Sequence, residues 1–254
     1  MRQHVRIRLV KATLTYHSID DSGSAISLPP AIFRAHLAWL TSGRIRVLPL
    51  DALVAHPDEG EHAVAVTFDD GFLNTREPVA ELLANGVPAT LFVVSGHVGR
   101  TNAWHDGAAD PGIPTLPLLT WADLERLAAQ GATIAPHTRH HPRLTRLSAG
   151  ALDDELGGGL DDLRARLGVV GTHVAYPYGD VNATVAAKAA RCVRFGHTMH
   201  FDFLTAGDAP LLLPRLDMYY FQAPGAIEAW GTPRFHRRVA WCRLRRAARR
   251  RLHL

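Results

Sequence analysis

The chain has 254 residues, 47% of them hydrophobic and 20% charged, enough for one large α/β domain or two small ones and ordinary for a soluble globular protein. Its net charge of +4 is set at the C-terminus, where residues 234–254 hold nine arginines and no acidic residue; the body is therefore net acidic, which argues against a nucleic-acid-binding domain. No run reaches the length of a membrane span, residues 1–14 lack the unbroken apolar core of a signal peptide, and Cys192 and Cys242 fit neither a disulfide nor a metal framework, so a cytoplasmic location is expected.

Leu9 to Tyr16 reads as a first strand, ending in Tyr16-His17-Ser18, and is followed by a loop with Pro29-Pro30. Phe33, Leu37 and Leu40 recur at helical spacing and predict a helix from about Ala31 to Thr41. Arg44 to Leu50 is expected as a strand, Asp58-Glu59-Gly60 as a turn, and Ala63 to Phe68 as a buried strand. Asn74 could cap a helix that Gly86 and Pro88 stop. After a strand at Ala89 to Val94, residues 99–117 are rich in Gly, Pro, Asp and Asn and predict a long surface loop. Thr120 caps a helix to Gln130, and Ala132 to Ala135 is the next strand. A helix from Ala149 to Leu167 follows, weakened in the middle by Gly157-Gly158-Gly159. Strands at His173 to Tyr176, Val193 to Thr198 and Leu211 to Leu216, with a helix opened by Asn182, complete the order. Strand-then-helix repetition implies a mostly parallel sheet or barrel, with chemistry at the C-terminal ends of the strands.

Three motifs stand at such ends. Thr67-Phe68-Asp69-Asp70-Gly71 closes a strand with two adjacent carboxylates. Side chains alternate along a strand, so both can approach one spot only if Gly71 permits a sharp turn; like charges so close need a proton or a cation. Taken alone, the pair reads better as a solvated turn. His137-Thr138-Arg139-His140-His141-Pro142 follows another strand, and one helical turn would put the imidazoles of His137 and His141 on one side, with His140 close enough to compete. Two imidazoles and a carboxylate suit a divalent metal with open positions for water, the form of a catalytic site. A polar histidine-rich loop is the alternative, and the carboxylate pair tips the balance towards metal. The third motif is Tyr176-Pro177-Tyr178-Gly179, which by composition is also an ordinary turn.

Together, Thr-Phe-Asp-Asp-Gly, His-Thr-x-x-His-Pro-x-Leu and Tyr-Pro-Tyr-Gly, with Trp121-x-x-Leu124 and Gly131 as lead-in, resemble the polysaccharide deacetylases (NodB-homology, carbohydrate esterase family four) over about residues 10–220. The resemblance implies a distorted (β/α) barrel and metal-dependent removal of acetyl groups from sugars. By that resemblance Asp69 is the catalytic base, Asp70, His137 and His141 are the metal ligands, and the backbone N–H of Tyr178 helps hold the oxyanion. Zinc ranks first as the metal, although the same ligand set serves cobalt, nickel or iron.

The chain departs from the family pattern twice. The arginine usually found just before Pro-Tyr-Gly is absent, and Arg215 at the last strand is a candidate replacement, an ordinary surface ion pair being the other reading. The late Leu-x-x-His motif that supplies the catalytic acid is also missing, and His236 and His253 are poorly placed for that role. His17, ending the first strand, resembles a permuted exopolysaccharide-deacetylase branch in which the acid histidine lies near the N-terminus.

Trp104, with His105 and Asp106, is assigned with Tyr176 as a substrate contact, although a loop tryptophan packed on the body is equally expected. Residues 1–232 are read as the catalytic domain and 233–254 as a basic helix or tail, either solvated or, with Trp241, Leu244 and Ala248 near one face, lying on an anionic membrane. The expected function is N-deacetylation, less favourably O-deacetylation, of a glycan or glycan precursor. A catalytically inactive sugar-binding module and a hydrolase of another small C–N bond are the alternatives.

Overall fold

The computed structural model describes residues 9–55, 60–104 and 107–251. The Asp58-Glu59 turn, His105, Asp106 and His253 lie outside these residues.

The first strand, β1 (Lys11–Tyr16), is followed by two short strands, β2 (Ser18–Ile19) and β3 (Ser27–Leu28), and by helix α1 (Pro30–Leu40). The expected strand over 44–50 shortens to β4 (Arg46–Val47), because a short helix not legible in the sequence, α2 (Leu50–Ala55), begins at its end. Strand β5 (Ala63–Phe68), helix α3 (Arg76–Ala84), strand β6 (Ala89–Val93), helix α4 (Trp121–Ala129) and strand β7 (Thr133–Pro136) continue the alternation. Thr120 and Asp123 form a reciprocal capping box on α4. Asn74 does not cap α3: its amide bonds Ser18 Oγ at 2.7 Å, tying the start of α3 to β2.

Helices α5 (Ala149–Asp153) and α6 (Gly159–Leu167) are joined without interruption by a π-helical turn over Asp154–Gly158. Strand β8 (His173–Ala175), helix α7 (Ala183–Ala189), capped by Asn182, and strands β9 (Phe195–His197) and β10 (Leu216–Asp217) follow. The last helix is α8 (Pro233–Arg251).

Every strand pairing is parallel, in the order β10-β1-β5-β6-β7, with β8-β9 beside it. A bridge from His197 to Leu213 joins β9 to the segment that becomes β10. The ring is thus a distorted barrel, open between β7 and β8, where no ladder forms among the described residues. The sequence alternates accordingly. Ala63, Ala65, Phe92, Ala135, Ala175 and Leu213 fill the interior, closed below by Leu50 and Leu53 of α2. Val64, Val66, Phe68, Leu91 and Ile134 face the helix layer. Asp69 follows in phase with Ala63, Ala65 and Thr67, so it crowns the interior.

Helix α8 is not a frayed tail. Phe235, Val239 and Cys242 are buried in the main core, which leaves Trp241 and Leu244 exposed on the other side. Among the described residues no helix is long and apolar enough to cross a membrane.

Candidate active site

The C-terminal mouth of the barrel holds a cleft of about 280 Å³, lined among others by His17, Asp69, Asp70, Trp104, Tyr178 and Arg246. Among the described residues, four besides glycine adopt left-handed backbone: Asp70 (φ 69°), Thr138 (66°), His141 (59°) and Tyr178 (58°). All four belong to the three motifs. Such conformations cost about 1–3 kcal/mol each and persist where the surrounding structure enforces them. Here they re-aim side chains that regular strands would send elsewhere. Asp70 and Gly71 (φ 77°) are left-handed in succession, which swings Asp70 to the same mouth as Asp69.

The segment after β7 is not the helical turn that the His137–His141 spacing suggested. It is a loop in which Thr138 Oγ1 accepts from the His141 amide at 3.1 Å. The loop nonetheless brings the imidazoles together, with Nε2 of His137 and of His141 each 3.3 Å from Oδ1 of Asp70. Their other nitrogens are engaged. His137 Nδ1–H donates to the Ala175 carbonyl at 2.8 Å, across the open seam between β7 and β8. His141 Nδ1 lies 3.2 Å from the Tyr178 hydroxyl, which donates to Asp110 at 3.0 Å. With Nδ1 carrying the proton in both rings, both Nε2 lone pairs face Asp70. Ligand atoms about 2.0–2.1 Å from a tetrahedral ion stand about 3.3 Å apart, so the three donors fit a divalent metal. Burial opposes charge on Asp70, but the imidazoles of His137 and His141 beside it hold its carboxyl well below the usual range. His140 turns away to Glu155 at 2.8 Å and is half exposed, so His141 is the ring that faces Asp70.

Asp69, 1% exposed, receives both terminal nitrogens of Arg215, Nη1 to Oδ1 at 2.7 Å and Nη2 to Oδ2 at 2.8 Å. Arg215 is itself 2% exposed and donates Nε–H to the Thr198 carbonyl at 3.0 Å. It is a buried bidentate partner and not the surface ion pair considered above. Burial alone would raise the Asp69 pKa; Arg215, with His137 and His17, outweighs it and keeps the carboxylate ionised. His17 Nε2 lies 3.8 Å from Asp69 Oδ2 and borders the cleft.

Trp104 stacks on His141, ring centres 4.6 Å apart, and meets His97 edge-on, so it both packs on the body and walls the cleft. Tyr176 is among the residues that line the cleft, while its side chain, in phase with Val174, is buried in the cluster that holds Leu156 and Leu160. Asp110 and Arg246 are among the cleft residues that the sequence did not single out. Asp110 sits in the long loop with no motif around it, and Arg246 was counted only as tail charge.

A parallel α/β barrel whose mouth carries a two-histidine, one-aspartate site beside a second, arginine-held aspartate defines a class of hydrolytic scaffold. The polysaccharide deacetylase family model matches residues 56–194, more than half the chain, and the chain belongs to that family. It is similar to an uncharacterised protein of Streptomyces coelicolor, 28% identical over 143 residues, which are 56% of this chain and 50% of that one. The chain therefore spans about half the length of that curated relative. Among solved structures it is similar to IcaB from Ammonifex degensii, with a TM-score of 0.70, 23% identity and 92% and 97% of the two chains covered. The Streptococcus pyogenes deacetylase PplD, solved with acetate, gives a TM-score of 0.69 at 21% identity over 83% and 92%. At these identities the likeness is one of fold.

Proposed function

We propose that the protein is a metal-dependent hydrolase that removes N-acetyl groups, less favourably O-acetyl groups, from a carbohydrate. The observation that carries this is the pairing of two unlike carboxylates on one turn: Asp70 beside two imidazole Nε2 atoms at 3.3 Å, and Asp69 held apart by Arg215. A divalent ion on Asp70, His137 and His141, zinc by preference and otherwise cobalt, nickel or iron, would supply Lewis acidity towards the acetyl carbonyl and a water molecule. Asp69 is ionised, next to those ligands, and oriented by a guanidinium, which suits it to take the proton of the attacking water. His17, 3.8 Å from Asp69 at the edge of the cleft, would give a proton to the departing nitrogen. The Tyr178 backbone N–H would donate to the oxyanion as charge develops there.

The unpaired Cys192 and Cys242 favour a reducing compartment such as the cytoplasm. The arginine-rich, acid-free sequence of α8 favours contact with an anionic membrane surface. The test is acetate release from an acetylated chitooligosaccharide, with bound metal measured, for wild type, Asp69→Asn and His17→Ala. Both variants are expected to keep metal and lose turnover. Metal without acetate release in wild type would leave a sugar-binding module or a hydrolase of another C–N bond. No metal in wild type would overturn the reading.

A further inference from the structure

A second groove, of about 620 Å³, runs between α8 and residues 199–201. Its walls are Met199, Phe201, Ala240, Leu244 and Ala247, with His200 and the cations Arg243 and Arg246 among them. Two residues, Met199 and Arg246, line both this groove and the catalytic cleft, so the two form one continuous surface. Met199 reaches the catalytic centre directly, its Sδ 3.5 Å from Nη2 of Arg215.

The chemistry changes along that surface. The cleft presents carboxylates, imidazoles and a tryptophan, whereas five of the eight groove residues are aliphatic, thioether or aromatic. A further stretch of sugar would want hydrogen-bonding partners and would leave apolar walls wet; an alkyl or prenyl chain would bury them. Arg246 stands at the junction. Its guanidinium lies 5.5 Å from the Phe201 ring centre and 5.3 Å from that of Tyr220. Nη2–H donates to the Met199 carbonyl at 3.1 Å, and Nη1–H makes only a long 3.4 Å contact with Asp217. A guanidinium has five N–H donors in a planar fork, so Arg246 keeps capacity for an oxyanion. Asp202 and Asp217 offset Arg243 and Arg246, but α8 itself carries no acidic residue and adds exposed Arg237 and Arg245. Exposed Leu244 extends the apolar wall outward.

We propose that the groove receives the apolar chain of an amphiphilic substrate, in which the acetylated sugar is joined to that chain through a phosphoester set beside Arg246. The proposal rests on the deacetylase reading for its sugar end alone.

The test uses the full chain and farnesyl phosphate as probe, followed by calorimetry, with farnesol and inorganic phosphate in parallel. Farnesyl phosphate is expected to bind at least tenfold more tightly than either fragment. Arg246→Gln is expected to weaken it by roughly ten- to a hundredfold, the loss of a charge-assisted hydrogen bond. Ala247→Trp fills the groove and is expected to abolish binding; Leu244→Asp, at an exposed position that cannot unfold the core, is expected to weaken it too. Equal binding of farnesyl phosphate and inorganic phosphate, or binding unchanged in both groove variants, overturns the proposal. Attachment to phosphatidylglycerol vesicles with no binding of farnesyl phosphate overturns it in favour of a membrane surface on α8. Acetate release from a soluble acetylated chitooligosaccharide is measured on the same sample. If it fails while farnesyl phosphate binds, the groove stands and the deacetylase reading falls; if it succeeds without such binding, the groove falls alone.

Discussion

Arg215 and Asp69, 146 residues apart, meet through two parallel hydrogen bonds of 2.7 and 2.8 Å with both side chains out of solvent. Removing one member of such a pair strands a buried charge, which typically costs about 3–5 kcal/mol. Arg215→Met is therefore expected to lower the free energy of urea unfolding by an amount in that range and to depress kcat sharply. Bound metal should stay, because Asp70, His137 and His141 are untouched. The double variant Asp69→Asn/Arg215→Met should recover much of the lost stability and none of the turnover. Full stability in Arg215→Met alone would mean that the pair contributes little to the fold.

A longer chain of contacts supports the candidate metal ligands. His141 Nδ1, the Tyr178 hydroxyl and Asp110 are linked at 3.2 and 3.0 Å. Outer partners of this kind fix a ligand ring, and losing them costs about 10–100-fold in metal affinity. Tyr178→Phe is expected to fall in that range in a chelator competition, while the His137 arm stays anchored on Ala175. An affinity equal to wild type would show that Trp104, stacked on His141, is enough to orient the ring.

How much of this was legible beforehand follows from how local each signal is. Asp69, Asp70, His137 and His141 stand in short motifs at strand ends, and the barrel follows from alternating strands and helices. Arg215 could be named only as a candidate, since nothing in a sequence measures contact across 146 residues. Tyr176 lines the cleft, but its burial with Leu156 and Leu160 could have been read from strand alternation starting at Val174. Arg246 was hidden by composition: among nine arginines in residues 234–254, none announces that it reaches the cleft. The helical turn expected at His137–His141 failed because two left-handed residues replace it; histidine enters that region more readily than most residues, but β-branched Thr138 gives no sign of it.

The triple glycine at 157–159 was read as a helix weakness and has a packing cause instead. A Cβ on Gly159 would stand 2.9 Å from the Thr138 carbonyl carbon and 3.0 Å from the Arg139 nitrogen, on the backbone that carries His137 and His141. Gly159→Ala is expected to push that loop, costing about 1–3 kcal/mol and weakening metal binding at a distance. Gly157→Ala is the control. Its Cβ would meet only Cys192 Sγ at 3.9 Å, so improved helix propensity should leave stability unchanged or raised by about 0.5–1 kcal/mol. Equal metal affinity in the two variants would separate the glycines from the site.

Away from the mouth, His36 sets a pH dependence of stability. Its ring is 1% exposed; Nδ1 accepts from the Tyr16 hydroxyl at 3.1 Å and Nε2–H donates to the Phe221 carbonyl at 3.3 Å, an arrangement that needs the neutral imidazole. Burial pushes its pKa down from 6.5 to about 4. The unfolded chain therefore takes up this proton first as pH falls. The stability it contributes is complete above pH 6.5 and is lost progressively down to pH 4, a drop of about 3 kcal/mol for one such group. His173 and His197, also depressed by burial, act in the same direction. The shifted carboxylates Asp69 and Asp70 act only at lower pH, below their ordinary value of 3.8. Urea unfolding of chelated protein at half-unit steps should show the slope between pH 6.5 and 4. His36→Gln should be less stable at pH 7 yet lose less on acidification, because its side chain binds no proton in either state. A variant slope as steep as wild type would move the effect to the other histidines that burial depresses, His97, His141, His173 and His197.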